Sequence, residues 1–183
     1  PGGPNWGPNV LVFDPTMPMA TIQEAIKRVY LASGQFSANR CALMFMPGVY
    51  TLSFKVNYYT GVYGLGKTPA LTVINGTVQT CNKGSEADPV RCLNNGGEAL
   101  DNFWRACENI TIAPPEDKGL TNFWATSQAS AMRRVIIKGN IHFSEDAGYT
   151  SGGFISDSVI TGDMAFGTQQ QFIARNVSWG GNS

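Results

Sequence analysis

Beyond residue 40 the chain breaks into nine short apolar segments, 41–46, 49–56, 61–63, 71–74, 103–112, 123–125, 134–143, 154–160 and 172–179, separated by Gly, Asn, Asp and Pro. Segments this short and this regularly punctuated are the pattern of an all-β domain. The architecture must therefore stack many small strands, as a sandwich or as a solenoid. Weak internal repetition favours the solenoid. Asn102-Phe103-Trp104 recurs as Asn122-Phe123-Trp124, and Phe154-Ile155 and Phe172-Ile173 open later segments. The phenylalanine intervals, 20 (123−103), 31 (154−123) and 18 (172−154), bracket the roughly 20–30 residues of one turn with variable loops. On this spacing each turn presents an inward Phe and then an inward Ile or Val, and stacking buries a column that no single turn could bury alone. Asn102 and Asn122 fit turn positions, where Asn tolerates the left-handed region. A sandwich with coincidental Phe-Trp pairs is the competing reading.

The start of the chain differs. Residues 1–9 hold three prolines and three glycines, which predicts an extended arm anchored by Trp6, and residues 10–183 are read as one domain. VLVF at 10–13 reads as a first strand. Thr21-Ile22-Gln23-Glu24 has the form of a capping box, and Ile22, Ala25, Ile26, Val29 and Tyr30 follow at helical spacing, with Gly34 as the expected stop. No other helix is expected.

Thirteen Lys and Arg balance thirteen Asp and Glu, so bulk charge offers nothing to nucleic acid or an anionic membrane. No apolar run reaches the roughly 20 residues of a membrane helix, and the opening PGGPNWGPN is not a signal peptide. The four cysteines form no C-x-x-C pair and only His142 could join them, so neither a metal site nor a cofactor is implied. Cys81 and Cys92 bracket a polar, turn-rich loop and are the expected disulfide, worth about 3 kcal/mol by chain entropy. Cys41 and Cys107 are buried thiols or a second bridge. Sequons at Asn75, Asn109 and Asn176 suit a glycoprotein, and together these features predict an extracellular or cell-surface location.

The helix TIQEAIKRVY, then CALMFMPGVY, then YYTGVYGLGKTPALTVING resembles the opening of the pectate-lyase-like right-handed parallel β-helix superfamily. In that superfamily a helix caps the solenoid, and Pro-Gly and G-x-G turns form corners of the first coils. Here those corners would be Pro47-Gly48 and Gly64-Leu65-Gly66. More narrowly, NVLVFDPTMPMATIQ, ALDNFWR, NFWATSQASAMRRV, SGGFISDS and QQQFIARN are similar to large secreted microbial β-helix proteins built like tandem-β-helix laminarinases. The resemblance implies an all-β, right-handed parallel β-helix with an N-terminal capping helix. Proteins of that group are longer, so this chain is expected to be a fragment, a processed product, or a subunit whose open end continues or self-associates.

If the chain is catalytic, the resemblance implies glycoside hydrolysis, which needs two carboxylates about 5–9.5 Å apart. Glu108, Asp157, Glu145 and Asp146 are the weak candidates. Asp157 is expected to pair with Arg133, and Glu145 and Asp146 sit in the glycine-rich loop SEDAGYTSGG, where a solvated charge is the commoner role. The motifs of pectate lyases and polygalacturonases are missing. His142, between Ile141 and Phe143, reads as an outward polar residue on a half-buried strand rather than a general base. If Phe103 and Phe123 point inward, Trp104 and Trp124 point outward one turn apart. They would form a platform for the apolar faces of sugar rings, or be covered by the N-terminal arm or the 81–92 loop. Tyr58, Tyr59 and Tyr63 admit the same two readings, with Arg105 and Arg133 lining the adjacent face. A polysaccharide or oligosaccharide is the expected partner, of either a carbohydrate-active module lacking a complete active site or a non-catalytic structural or binding module.

Overall fold

The computed structural model describes residues 6–82, 88, 90, 92, 98–145 and 148–181. In chain order the elements are β1 (Val10–Phe13), α1 (Met19–Ala32), β2 (Cys41–Phe45), β3 (Gly48–Thr51), β4 (Phe54–Lys55), β5 (Thr60–Gly64), β6 (Thr72–Asn75) and β7 (Val78–Gln79). They continue as β8 (Arg105–Ala113), β9 (Thr121–Phe123), β10 (Ser130–Ile137), β11 (Asn140–His142), β12 (Phe154–Ile160), β13 (Met164–Ala165) and β14 (Ile173–Trp179).

All the described strand pairs are parallel, and each segment of chain returns to pair with the one before it. The longest stack runs β1-β2-β5-β8-β10-β12-β14. Strands β8, β10, β12 and β14 each bend midway at a residue in the left-handed region, Asn109, Arg134, Asp157 and Asn176, with φ of 51–56°. Beyond the bend they form a second face, reached from β3 and β6. A third face is made by β4-β7 and by β9-β11-β13, joined through a bridge between Thr80 and Trp124.

Register turns this geometry into a core. Leu43, Val62, Cys107, Met132 and Ile155 align on the inner side of the first face. Ile74, Ile112, Ile137 and Ile160 do so on the second. All are buried and belong to one apolar cluster, which α1 joins through Ile22 and Ile26. Identical side chains a rung apart, about 4.8 Å, interlock as they do along any parallel sheet.

Several expectations change. Helix α1 begins at Met19 with Pro18 as its N-cap and no side-chain capping bond, so Thr21 lies inside the first turn and the capping box does not form. Pro18 fixes φ at the boundary, and its backbone carbonyl, not a side chain, accepts from the Thr21 and Ile22 amides. The helix ends at Ser33, whose hydroxyl donates to the Val29 carbonyl, rather than at Gly34. Trp6 is 61% exposed rather than packed down as an anchor. The two Asn-Phe-Trp motifs are not one rung apart: Trp104 precedes β8 on the first face, whereas Phe123 pairs with His142 on the third. The true partners of Phe154 are Ala131 and Ile173, and Ile155, not Phe154, points inward. Loops of unequal length separate the rungs, so phenylalanine spacing does not follow the register.

The Gly64-Leu65-Gly66 corner has a specific lock. The Asn109 side-chain amide donates to the carbonyls of Gly64 (2.8 Å) and Gly66 (2.7 Å), and a Cβ on Gly64 would lie 2.1 Å from the Asn109 carbonyl oxygen. Gly64→Ala therefore should cost about 1–3 kcal/mol in urea unfolding. Gly34→Ala, with nothing within 4 Å of the added atom, should leave the midpoint almost unchanged.

Candidate functional site

The site is built at the corner that enters the first face. Register places Arg40, Tyr59 and Trp104 at equivalent positions, one before Cys41, Thr60 and Arg105. Tyr59 and Trp104 adopt φ of 56° and 58°, which turns both side chains out of the stack. A backbone bond from the Tyr59 amide to the Trp104 carbonyl (2.8 Å) holds the rungs together. The rings consequently lie flat on each other, with centroids 4.9 Å apart and planes 7° from parallel. The Arg40 guanidinium caps the pile 3.4 Å from the Tyr59 ring centroid and donates to the Ser37 and Asn39 carbonyls. Tyr58, Phe36 and Phe103 surround Trp104 at 6.4, 6.0 and 5.1 Å.

This ladder walls an open groove of about 430 Å³. Its floor is the row Val10, Ala42, Gly61 and Ala106, in register across β1, β2, β5 and β8. Tyr63 folds back over Gly61, where an added Cβ would meet its hydroxyl at 2.2 Å. Burial, with Glu108 nearby, pushes the Tyr63 phenol up, and burial raises the Cys41 thiol, so both groove groups stay protonated near neutral pH. Among the described residues the groove lining contains no carboxylate. Its chemistry is flat apolar faces, a few hydrogen-bonding groups and two arginines stacked on tyrosine rings, Arg40 exposed and Arg105 buried.

Three of the four aromatic candidates, Trp104, Tyr58 and Tyr59, thus come together. Trp124 does not. It is fully buried on the third face, and its indole N–H donates to the Ser130 carbonyl at 3.0 Å. Arg105 is also buried rather than outward. Its guanidinium lies 4.4 Å from the Tyr58 ring centroid and donates to the carbonyls of Val56 and Phe103, and burial pushes its pKa down to about 10. It supports the aromatic shelf from beneath.

The carboxylates are dispersed. Glu108 accepts from Arg133 at 2.7 Å on the outward side of the first face, so Arg133 pairs with Glu108 and not, as expected, with Asp157. Asp157 aligns one residue later and accepts from the Asn176 amide at 2.9 Å, which holds its carboxyl below the ordinary range. Glu145 is fully buried rather than solvated. It accepts from the Asn82 backbone amide, while its own amide donates to the Asn82 side chain at 3.2 Å. Asp146 lies outside the described residues. Cys81 and Cys92 are bridged, while Cys41 and Cys107 are free thiols. Glu145 and the two bridged sulfurs lie within 4.8 Å of one another, but the disulfide commits both sulfurs and leaves no thiolate for a metal. Of the sequon residues Asn75 is exposed, whereas the amide of Asn109 is spent on Gly64 and Gly66 and that of Asn176 on Asp157.

A family profile, rhamnogalacturonase A/epimerase, pectate lyase-like, matches residues 16–183. The chain belongs to this family. Its all-β, parallel-strand fold is pectate-lyase-like. It is 41% identical over 184 residues to an exo-beta-1,3-glucanase from Streptomyces sp. (strain SirexAA-E / ActE), a match covering 98% of this chain and 28% of that protein. The structure of sacteLam55A from Streptomyces sp. SirexAA-E superposes with a TM-score of 0.85 at 39% identity, over 100% of this chain and 31% of that one. A variant of sacteLam55A in complex with glucose matches with a TM-score of 0.84 at 39% identity. The chain therefore spans less than a third of the length of these relatives.

Two outcomes follow for this pectate-lyase-like chain. Trp124→Phe should lower unfolding free energy by about 1–3 kcal/mol, through a lost buried hydrogen bond and unfilled volume, measured by urea titration. His142 is half-buried on β11 against Phe123, and burial, opposed by Asp163, places its pKa below 6.5. The unfolded chain then binds more protons than the folded one just below pH 6.5, so stability should fall as pH drops through that window. His142→Gln should flatten the decline between about pH 6.5 and 5 in thermal melts.

Proposed function

We propose that this chain is the part of a secreted, β-1,3-glucan-active glycoside hydrolase that forms a right-handed parallel β-helix and binds glucan through Trp104, Tyr59 and Tyr58. The observation that carries this reading is the 41% identity, over nearly the whole chain, to an exo-beta-1,3-glucanase. Right-handedness is the rule for crossovers between parallel strands of one sheet. The stacked Tyr59–Trp104 pair supplies the flat apolar surface that a pyranose needs, and the guanidinium of Arg40, stacked on Tyr59 at the end of the pile, is a donor for ring hydroxyls.

The same residues do not supply a glycosidase centre on this reading. Glu108 is tied to Arg133, Asp157 to Asn176 and Glu145 to Asn82, so no two of them face a common cleft as general acid and nucleophile must. Turnover then belongs to the length of protein that the relatives have beyond this match. The Cys81–Cys92 disulfide supports an extracellular location.

A second reading is favoured by one observation. On β14 the apolar side chains of Ile173 and Trp179 are exposed, and no described strand pairs with its outer edge. An unpaired parallel edge of this kind takes a further strand, from continuing chain or from a second copy in an end-to-end stack. Light scattering showing a stable monomer of residues 1–183 would exclude the self-stacking version.

The binding reading is tested by titrating the chain with a β-1,3-linked glucose hexasaccharide while following tryptophan fluorescence and reducing-end release. Saturable binding without hydrolysis is expected. Trp104→Ala should weaken it at least about tenfold while the chain still unfolds in a single cooperative urea transition. Wild-type affinity in that variant would remove the aromatic shelf from the account.

A further inference from the structure

The corner column that carries Tyr59 and Trp104 continues through Ala129, Gly152 and Gln171, one rung at a time. All three keep the same left-handed turn, with φ of 59°, 79° and 72°. Two large aromatic plates are thus followed by a methyl, then by no side chain, then by a polar amide. Because Trp104 stacks parallel to Tyr59, its second face is directed along the column over the exposed Ala129. On the far side the Gln128 side chain lies across Gly152, where an added Cβ would sit 2.7 Å from its Cγ. There the Gln128 amide donates to the Gln171 side-chain oxygen at 3.0 Å. At the level of Ala129 the column therefore carries no plate between the indole on one side and the pair of amides on the other.

We propose that this gap is a monosaccharide subsite, in which one pyranose ring of a glucan chain takes the place of the plate that Ala129 omits. A rung spacing of about 4.8 Å accepts one flat ring in contact with the indole. A pyranose has an apolar face for Trp104 and a periphery of hydroxyls, each both donor and acceptor, for the Gln128 and Gln171 amides. Neither wall carries a charge, which matches a neutral sugar and disfavours an anionic ligand. The proposal rests on the carbohydrate reading above and adds to it the position, the walls and the orientation of the sugar.

Filling the gap tests it directly. Tyr59 and Trp104 already hold bulky side chains at this same backbone conformation, so Ala129→Trp should fold with the wild-type melting profile while extending the ladder into the subsite. Calorimetric titration with the β-1,3-linked glucose hexasaccharide should show Ala129→Trp weakened at least about tenfold. The double variant Gln128→Ala, Gln171→Ala should be weakened several-fold, with Trp104→Ala as the reference. Wild-type affinity in Ala129→Trp, alongside loss in Trp104→Ala, would overturn the subsite and leave the aromatic shelf standing. Absence of glucan binding by the wild-type chain would overturn both. Should Ala129→Trp fail to fold, the double glutamine variant decides, and unchanged affinity there overturns the subsite.

Discussion

Everything in this structure depends on parallel rungs bonding to one another through their backbones. Each strand of the first face takes its hydrogen bonds from the strands before and after it, so a residue is locked at the level of its counterparts one rung away. To turn corners without losing that alignment the backbone kinks at the same register position on most rungs. The kinks are left-handed residues, and most of them are not glycine: Tyr59, Trp104, Ala129 and Gln171 in one column, Asn109, Arg134, Asp157 and Asn176 in the other. Each costs about 1–2 kcal/mol for an L-residue. That cost is met by the ladder bonds on either side and, at Asn109, Asp157 and Asn176, by side-chain amide or carboxylate bonds along the column.

The same constraint decides which side chains are available for function. Inside the stack, register forces like upon like and produces apolar columns. At the corners it forces side chains outward and stacks them too, which is why Tyr59 and Trp104 are parallel to within 7°. The shelf is therefore a by-product of the backbone, sharpened by Arg105 beneath and Arg40 above. Burying Arg105 is expensive, and its pKa of about 10 records the desolvation; its bonds to the Val56 and Phe103 carbonyls offset that cost and fix the approach to the β8 corner. A similar role falls to Asn102, whose amide donates to the Cys81 and Ala125 carbonyls and so ties the disulfide to the corner leading into Trp104.

Much of the fold was legible because periodicity is a local signal. The strands at 10–13 and 154–160 have the bounds that alternation implies, and the stripe Ile22, Ile26 and Tyr30 is the buried side of α1. Register was not legible, because it depends on loop lengths that vary from rung to rung. The Asn-Phe-Trp pair misled for that reason. The informative repeat is Tyr58-Tyr59-Thr60 against Phe103-Trp104-Arg105, two aromatics followed by the first strand residue, which occupies the same corner on successive rungs. Phe123-Trp124 carries the same two aromatics, so only register separates the half-buried Trp104 at a corner from the buried Trp124 on a face. Nothing in the sequence marks Gln128 or Gln171, whose importance lies wholly in standing next to a missing side chain. The burial of Glu145 was hidden as well, since its partner Asn82 lies far away in the chain.

The groove's electrostatics also bear on what it can select. Its one ladder cation, Arg40, spends its guanidinium on the Tyr59 face and two backbone carbonyls, so it terminates the aromatic pile rather than offering a free charge. With no carboxylate among the described lining residues, a cationic polysaccharide gains nothing from direct ion pairing there. Discrimination must instead come from shape, meaning which faces of a ring are free of axial hydroxyls and can lie against an indole, and how the chain turns as it leaves that contact. A β-1,3-linked glucan presents all-equatorial rings and curves gently, so stacking and hydrogen bonding at a single corner can hold one ring without requiring a long straight groove. The parallel stack fixes the corner and the corner aims the indole, so on the proposed carbohydrate reading it is ring shape, sensed by the indole and two neutral amides, that would select the sugar.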